Sequence, residues 1–144
     1  MNDIQVVLRL LVSAVLSGLI GLERQLHRRA AGLRTHILVS VGSTLIMLTS
    51  MYIFDIYKDK VLSDPSRIAS GIITGIGFLG AGTIIRYGEE IKGLTTAATL
   101  WVAAAVGMAV GCGFYLAACA TTIIALAVLL LLKTIENKVL GKSC

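Results

Sequence analysis

Gly75-Ile-Gly77-Phe-Leu-Gly80 fits G-x-G-x-x-G, the spacing by which many enzymes bind a dinucleotide. That chemistry needs a strand before the glycines and a helix opening on water after them. It also needs an acidic residue about 20 positions further on. The context is wrong here. The glycines lie inside the apolar run Ile68 to Ile85, and the nearest acids, Glu89 and Glu90, come too soon. The reading is therefore no nucleotide at this motif.

Other reactive side chains give as little support to catalysis. His27 and His36 belong to no Ser-His-acid or HExxH arrangement, so no enzyme and no catalytic residue is expected. Cys112, Cys119 and Cys144 form no CxxC, and their count is odd. They read as small packing residues. A magnesium site wants hard oxygen ligands, usually carboxylates with waters. No Asp or Glu stands in the middle of any apolar block, where ion-coupled pumps carry such groups. A path lined by carbonyls and by Ser40, Ser43, Thr44, Thr95, Thr96 and Thr99 stays open. Asp55, Asp59 and Asp64 share one loop, offset by Lys58, Lys60 and Arg67. That loop reads as a solvated hairpin first and a cation-recruiting surface second. No cofactor is expected, weak magnesium binding being the alternative. Asp64 reads as the N-cap of a helix with Pro65 at its first position, and alternatively as an outer-mouth pair with Arg67.

The elements that hold these residues are set by composition. The chain is 56% hydrophobic and 15% charged, against about 25% charged for a soluble domain. Its apolar residues come in long blocks, and a bilayer-crossing helix needs about 20 of them. Five blocks qualify, near 6–22, 36–54, 68–85, 94–110 and 114–132. They predict an all-α bundle of five transmembrane helices over 1–135, followed by a short basic tail, 136–144. Arg9 sits where a long side chain snorkels to the interface. Gly93-Leu94-Thr95-Thr96 offers a threonine cap for the fourth span, and Gly111-Cys112-Gly113 a tight turn before the fifth. Trp101, in mid-span, is expected to pack against neighbouring helices.

Charge sets the orientation. The first loop, the third loop and the tail together carry nine Lys and Arg, and the opposite side carries four. The positive-inside rule then places the N-terminus outside and the C-terminus in the cytoplasm. The net charge of +5 fits anionic lipid headgroups rather than nucleic acid.

Placed on a helix, Gly71, Gly75, Phe78 and Gly82 fall on one face; Thr74, Gly77 and Ala81 fall on another, with Gly80 beyond. Small residues three and four apart let helices approach closely in lipid. Two such faces put the third span at the centre of the bundle or on the axis of a homodimer. The alternative is a helix broken at its glycines, presenting carbonyls to a cation. On the charged side, Arg24 and Arg28 would repel on one continuing helix. Glu23, Glu89, Glu90 or a lipid phosphate belongs between them. Two readings stay open: positive-inside anchoring, and a polar lock joining Glu23, Arg24 and Arg34 to the third loop.

The stretches "GLERQ", "AGLRTHILVSVGS", "DPSRIASGIITGIGFLGAGTIIR" and "GLTTAATLWVAAAVGMAVG", in this order, resemble the MgtC/SapB family of bacterial inner-membrane proteins. The resemblance covers most of the first four spans. It implies a five-span domain in the bacterial inner membrane. It also implies a part in growth at low magnesium and in virulence, by regulation of a partner membrane protein. The alternatives are direct transport of magnesium or another divalent cation, and a structural role beside another complex. Longer members carry a soluble ACT-like domain after the last span, where this chain has about a dozen residues.

Overall fold

The computed structural model describes residues 2–58, 64 and 66–132. Asp59, Lys60, Pro65 and the basic tail 136–144 lie outside the described residues. Five helices follow one another: α1 (Asp3–Leu26), α2 (Leu33–Tyr57), α3 (Ser66–Ala81), α4 (Leu94–Cys112) and α5 (Tyr115–Ala127). A π-helical turn, Val128–Leu132, continues α5. A two-stranded hairpin, β1 (Ile85–Tyr87) with β2 (Glu90–Lys92), joins α3 to α4.

The burial pattern is inverted relative to a water-soluble protein. Ser13, Ser17, Ser40, Thr44, Ser50, Thr122 and His36 are enclosed, while Leu8, Leu11, Val15, Leu38, Leu116, Ile123 and many others are exposed. Lipid tails are as apolar as leucine, so large aliphatic side chains gain nothing by facing inward. Small residues face inward because they let backbones meet. α1, α2, α4 and α5 with its π turn are long and apolar enough to cross a membrane. The protein is an all-α membrane bundle.

α4 is the centre of that bundle, with α1, α2, α3 and α5 all packed on it. The tightest crossing is with α2. A methyl group added at Gly107 would collide with the Ser40 carbonyl oxygen, and one at Gly111 would lie 2.7 Å from Met47 Cβ. Thr44 Oγ1 donates within this seam, 2.9 Å from the Ser40 carbonyl and 2.8 Å from that of Gly107. α1 meets α2 as closely, since a methyl group at Gly21 would stand 2.9 Å from Leu33 Cα and from His36 Cβ.

α3 departs from its expected central place and from its expected span, 68–85. It buries only Ala69, Ile72, Ile76 and Gly80, one face, against α2 and α4. Gly71, Gly75 and Gly77 have nothing within 4 Å of where a side chain would begin. The helix is 16 residues long, about 24 Å at 1.5 Å per residue, against a hydrocarbon core of about 30 Å. It runs unbroken through Gly75 and Gly77 and stops at Ala81. Beyond it, β-branched Ile84 and Ile85 lead into the hairpin, whose turn opens with Gly88 at φ 62°, as a type II′ connection requires.

The helix ends are closed by left-handed residues. Gly113, at φ 83°, ends α4, with Phe114 N–H donating to the Ala109 carbonyl. α1 ends the same way on Arg28, at φ 52°. Arg28 N–H donates to the Gln25 carbonyl and Arg29 N–H to that of Arg24, the paired bonds of a Schellman motif usually built on glycine.

Two substitutions test this packing in purified protein followed by thermal unfolding. Gly107→Ala forces the α2–α4 seam apart and is expected to destabilise by about 3 kcal/mol. Gly75→Ala meets no neighbour and removes a flexible residue, so it is expected to be neutral or slightly stabilising. Equal effects would mean that α2 and α4 do not cross at Gly107.

Candidate functional site at the Arg24 end of the bundle

Where α1 ends, α4 begins and α5 finishes, they leave a cavity of about 430 Å³. Arg24, Arg29, Gly93, Thr95 and Thr96 form its polar wall; Ile91, Leu94, Val128, Leu129 and Leu132 form its apolar wall. Arg24 is 4% exposed. Its guanidinium grips Glu23 with two bonds, Nε to Oε2 at 2.5 Å and Nη2 to Oε1 at 3.1 Å. His27 Nδ1 lies 2.8 Å from Glu23 Oε1. The Arg24 Nη1 group makes no hydrogen bond with the described residues.

The chain is led to this geometry locally. Glu23 is adjacent to Arg24 on the last turn of α1, and the left-handed Arg28 folds the chain back so that Arg29 joins the cavity wall. The expected threonine cap of α4 is absent. Gly93, at φ 93°, takes the N-cap position, and no side chain accepts from the first turn of the helix. A methyl group at Gly93 would overlap the Thr83 carbonyl, so the backbone itself fills the place a capping side chain would need.

Among the residues picked out from the sequence, the structure brings Glu23 and Arg24 together and leaves Arg34 apart. Arg34 is exposed on the first turn of α2 and makes no ion pair with the described residues. His27 stands beside Glu23 in its place. Thr95 and Thr96 line the cavity. Arg29 escaped notice as a site residue, because its position depends on the backbone of Arg28 and no side-chain spacing signals it.

At the opposite end of the bundle, the Asp64 carboxylate accepts from Ser66, from its N–H and its hydroxyl at 2.8 Å each. Arg67 approaches Asp64 through its own N–H, at 3.2 Å from the Asp64 carbonyl, not through its guanidinium. The Ser66 hydroxyl, then the Ser66 N–H and the Arg67 charge, hold the Asp64 carboxyl below its ordinary value. Arg9 does not simply snorkel. Its Nη1 donates to the Gly111 carbonyl at 2.6 Å, at the C-terminal end of α4, where helix carbonyls attract a cation. Asp55 pairs with Lys58 at 3.7 Å on the surface.

Gly71 and Gly75 border a shallow apolar groove of about 330 Å³ shared with Leu38, Gly42 and Ile46 of α2. Gly77 faces open space among the described residues, a methyl group at Gly80 would rest 3.6 Å from Ala97 Cβ, and Gly82 lies in the turn after α3. Trp101 is half exposed on the outside of α4 rather than held between helices. Cys112 and Cys119 are exposed as well, not packed inside. Ser40, Thr44 and Thr99 donate their hydroxyls to backbone carbonyls inside the bundle. His36 is fully enclosed, with Nδ1 2.9 Å from the Gly32 carbonyl and Nε2 without a partner among the described residues. Among the described residues, no three His, Cys, Asp or Glu side chains gather as metal ligands.

The family profile described as MgtC family matches residues 10–138. The chain belongs to the MgtC family. Among curated relatives, it is 50% identical over 111 residues to the "Putative magnesium transporter YhiD" of Escherichia coli K12, covering 76% of this chain and 52% of that protein. It is 44% identical over 133 residues to "Protein MgtC" of Salmonella typhimurium, covering 92% of this chain and 54% of that one. To "Protein MgtC" of Brucella abortus it is 47% identical over 120 residues, 83% of this chain and 48% of the relative. The chain thus spans about half the length of the relatives it matches. No solved structure matches it. The family match covers the whole cavity wall, from Arg24 to Leu132.

Removing Glu23 strands a buried guanidinium. Glu23→Ala is expected to destabilise the bundle by roughly 3 kcal/mol, the cost of breaking one side of a buried pair, and Glu23→Gln by less. Thermal unfolding of the two variants checks this order. The Asp64 cap has its own pH signature. A carboxylate held below its ordinary value of 3.8 contributes stability that is complete above that pH and is lost as pH falls through the lowered value. Protection of the start of α3 against hydrogen exchange, relative to the intrinsic rate at each pH, is therefore expected to stay flat from pH 7 to pH 5 and to fall below the ordinary aspartate value. Asp64→Asn should keep the cap throughout.

Proposed function

We propose that this MgtC-family chain acts in magnesium homeostasis and stress physiology of the bacterial inner membrane, as a regulatory or accessory protein rather than as a carrier. The observation that carries the reading is the chemistry of the interior. No carboxylate stands in mid-span, and the hydroxyls of Ser40, Thr44 and Thr99 are bonded to backbone carbonyls. Thr44 in particular closes the α2–α4 seam instead of lining an opening. Direct transport of magnesium or another divalent cation is the second reading, favoured by the name of the Escherichia coli relative, a putative magnesium transporter. In the proposed orientation the Arg24 end faces the cytoplasm, in line with its excess of basic residues. The proposal includes a homodimer seamed on the open glycine face of α3, where Gly71 and Gly75 have no neighbour among the described residues.

Purified protein in liposomes decides between regulation and transport. Magnesium entry, followed with an internal dye, is expected to be no faster than into empty vesicles. Entry above that background, lost in Asp64→Ala and Gly77→Leu, would make the chain a transporter. Crosslinking in the same vesicles is expected to trap dimers of the wild type and fewer of Gly75→Leu. Undiminished dimers of that variant would remove the α3 seam.

A further inference from the structure

We propose that the cavity at the Arg24 end binds a phosphate ester, carried there by an anionic phospholipid. Three features of the wall converge on this chemistry. Arg24 is 96% withdrawn from solvent, lines the cavity, and keeps Nη1 unbonded to the described residues after Nε and Nη2 are taken by Glu23. Nη1 is thus a donor still open to an acceptor placed in the cavity. α4 opens on the same space with no side-chain cap. Its free amides and positive dipole end suit an anion. Arg29 adds a second positive charge, delivered by the strained backbone of Arg28. A non-glycine residue held in the left-handed region costs free energy and often marks a functional site.

The carrier follows from the rest of the lining. Val128, Leu132 and Leu94 stand beside the polar wall and are about half exposed. Val128 and Leu132 lie on the π-helical turn that ends α5, and such turns recur at functional sites. A free phosphate ion would use the arginines and leave this apolar half unfilled. A phospholipid fills both, with its phosphate against Arg24, Arg29 and the α4 amides and its chains along Val128 and Leu132. The site does not depend on whether the chain moves magnesium.

The test uses the full chain in detergent, with retained and added lipid measured by native mass spectrometry and stability followed by thermal unfolding. The probes are phosphatidylglycerol, zwitterionic phosphatidylcholine and inorganic phosphate. Arg24→Gln also breaks the pair with Glu23, so the informative variant is Arg29→Gln, with exposed Arg34→Gln, which does not line the cavity, as a charge-matched control. Phosphatidylglycerol is expected to bind and stabilise in preference to phosphatidylcholine. Arg29→Gln is expected to weaken that binding about tenfold, the worth of one charge-assisted contact, while Arg34→Gln leaves it unchanged. Stabilisation of the wild type by inorganic phosphate alone, lost in Arg29→Gln, would keep the site and change its carrier. Equal binding of the two lipids with no effect of phosphate would overturn the proposal. So would equal losses in the two variants, which would reduce the effect to general surface charge.

Discussion

The approach of α2 to α4 at Ser40 and Gly107 is the contact on which the other placements depend. In lipid there is no apolar surface to hide from water, so helices are held by van der Waals contact and by hydrogen bonds across the seam. Gly107 and Gly111 remove the side chains that would hold the backbones apart. Thr44 then spans the gap, with its hydroxyl within reach of a carbonyl on each helix. Once α4 is fixed against α2, its two ends are fixed as well. One end receives Arg9 on the Gly111 carbonyl, and the other opens uncapped beside Arg24. The two arginines of α1 are thus matched to opposite ends of one helix dipole in different ways. Arg9 answers the negative end directly, whereas Arg24 is neutralised by Glu23 and leaves the positive end of α4 available.

That asymmetry separates the two ends functionally. The Arg9 end is closed: a guanidinium meets a carbonyl, and Gly113 turns the chain directly into α5. The Arg24 end has a half-open cavity, a helix start with no side-chain cap and a left-handed Arg28. Side-chain substitutions at the closed end act mainly on stability. In the proposed role, those at the open end act on what the cavity binds. The pair Glu23–Arg24 belongs to both descriptions, because it is buried enough to matter for folding and borders the cavity.

α3 is held on one face only, and this has a physical consequence. Its inner residues, Ala69, Ile72, Ile76 and Gly80, repeat at intervals of three and four and meet α2 and α4. Gly71, Gly75 and Gly77 on its other sides touch none of the described residues. A helix of small residues with an open flank can approach a further helix closely at little steric cost. Its length, below the thickness of a typical hydrocarbon core, also favours tilting of neighbours or local thinning of the bilayer around it.

The class of the fold and the order of its helices were legible in the sequence. Hydrophobic length depends on composition alone, and a bilayer accepts little else. The Asp64 cap was legible too, because capping involves neighbours in the chain. What escaped was everything set by contacts between helices. Glycines in α3 and α4 look alike as letters, yet those of α4 meet backbone and three of those in α3 meet nothing. The hairpin after Ala81 replaced the last turn of the expected third span, because Gly88 and the β-branched pair Ile84–Ile85 favour a strand once the chain leaves the bundle. Glu23 and Arg24 were singled out by charge, but the place of Arg29 beside them rests on a left-handed arginine that no spacing rule announces. Composition by itself determined that the chain enters a membrane. Only tertiary packing decided that α4 is the axis and that its uncapped end forms a cavity, because both depend on which backbones can approach within a methyl group of one another.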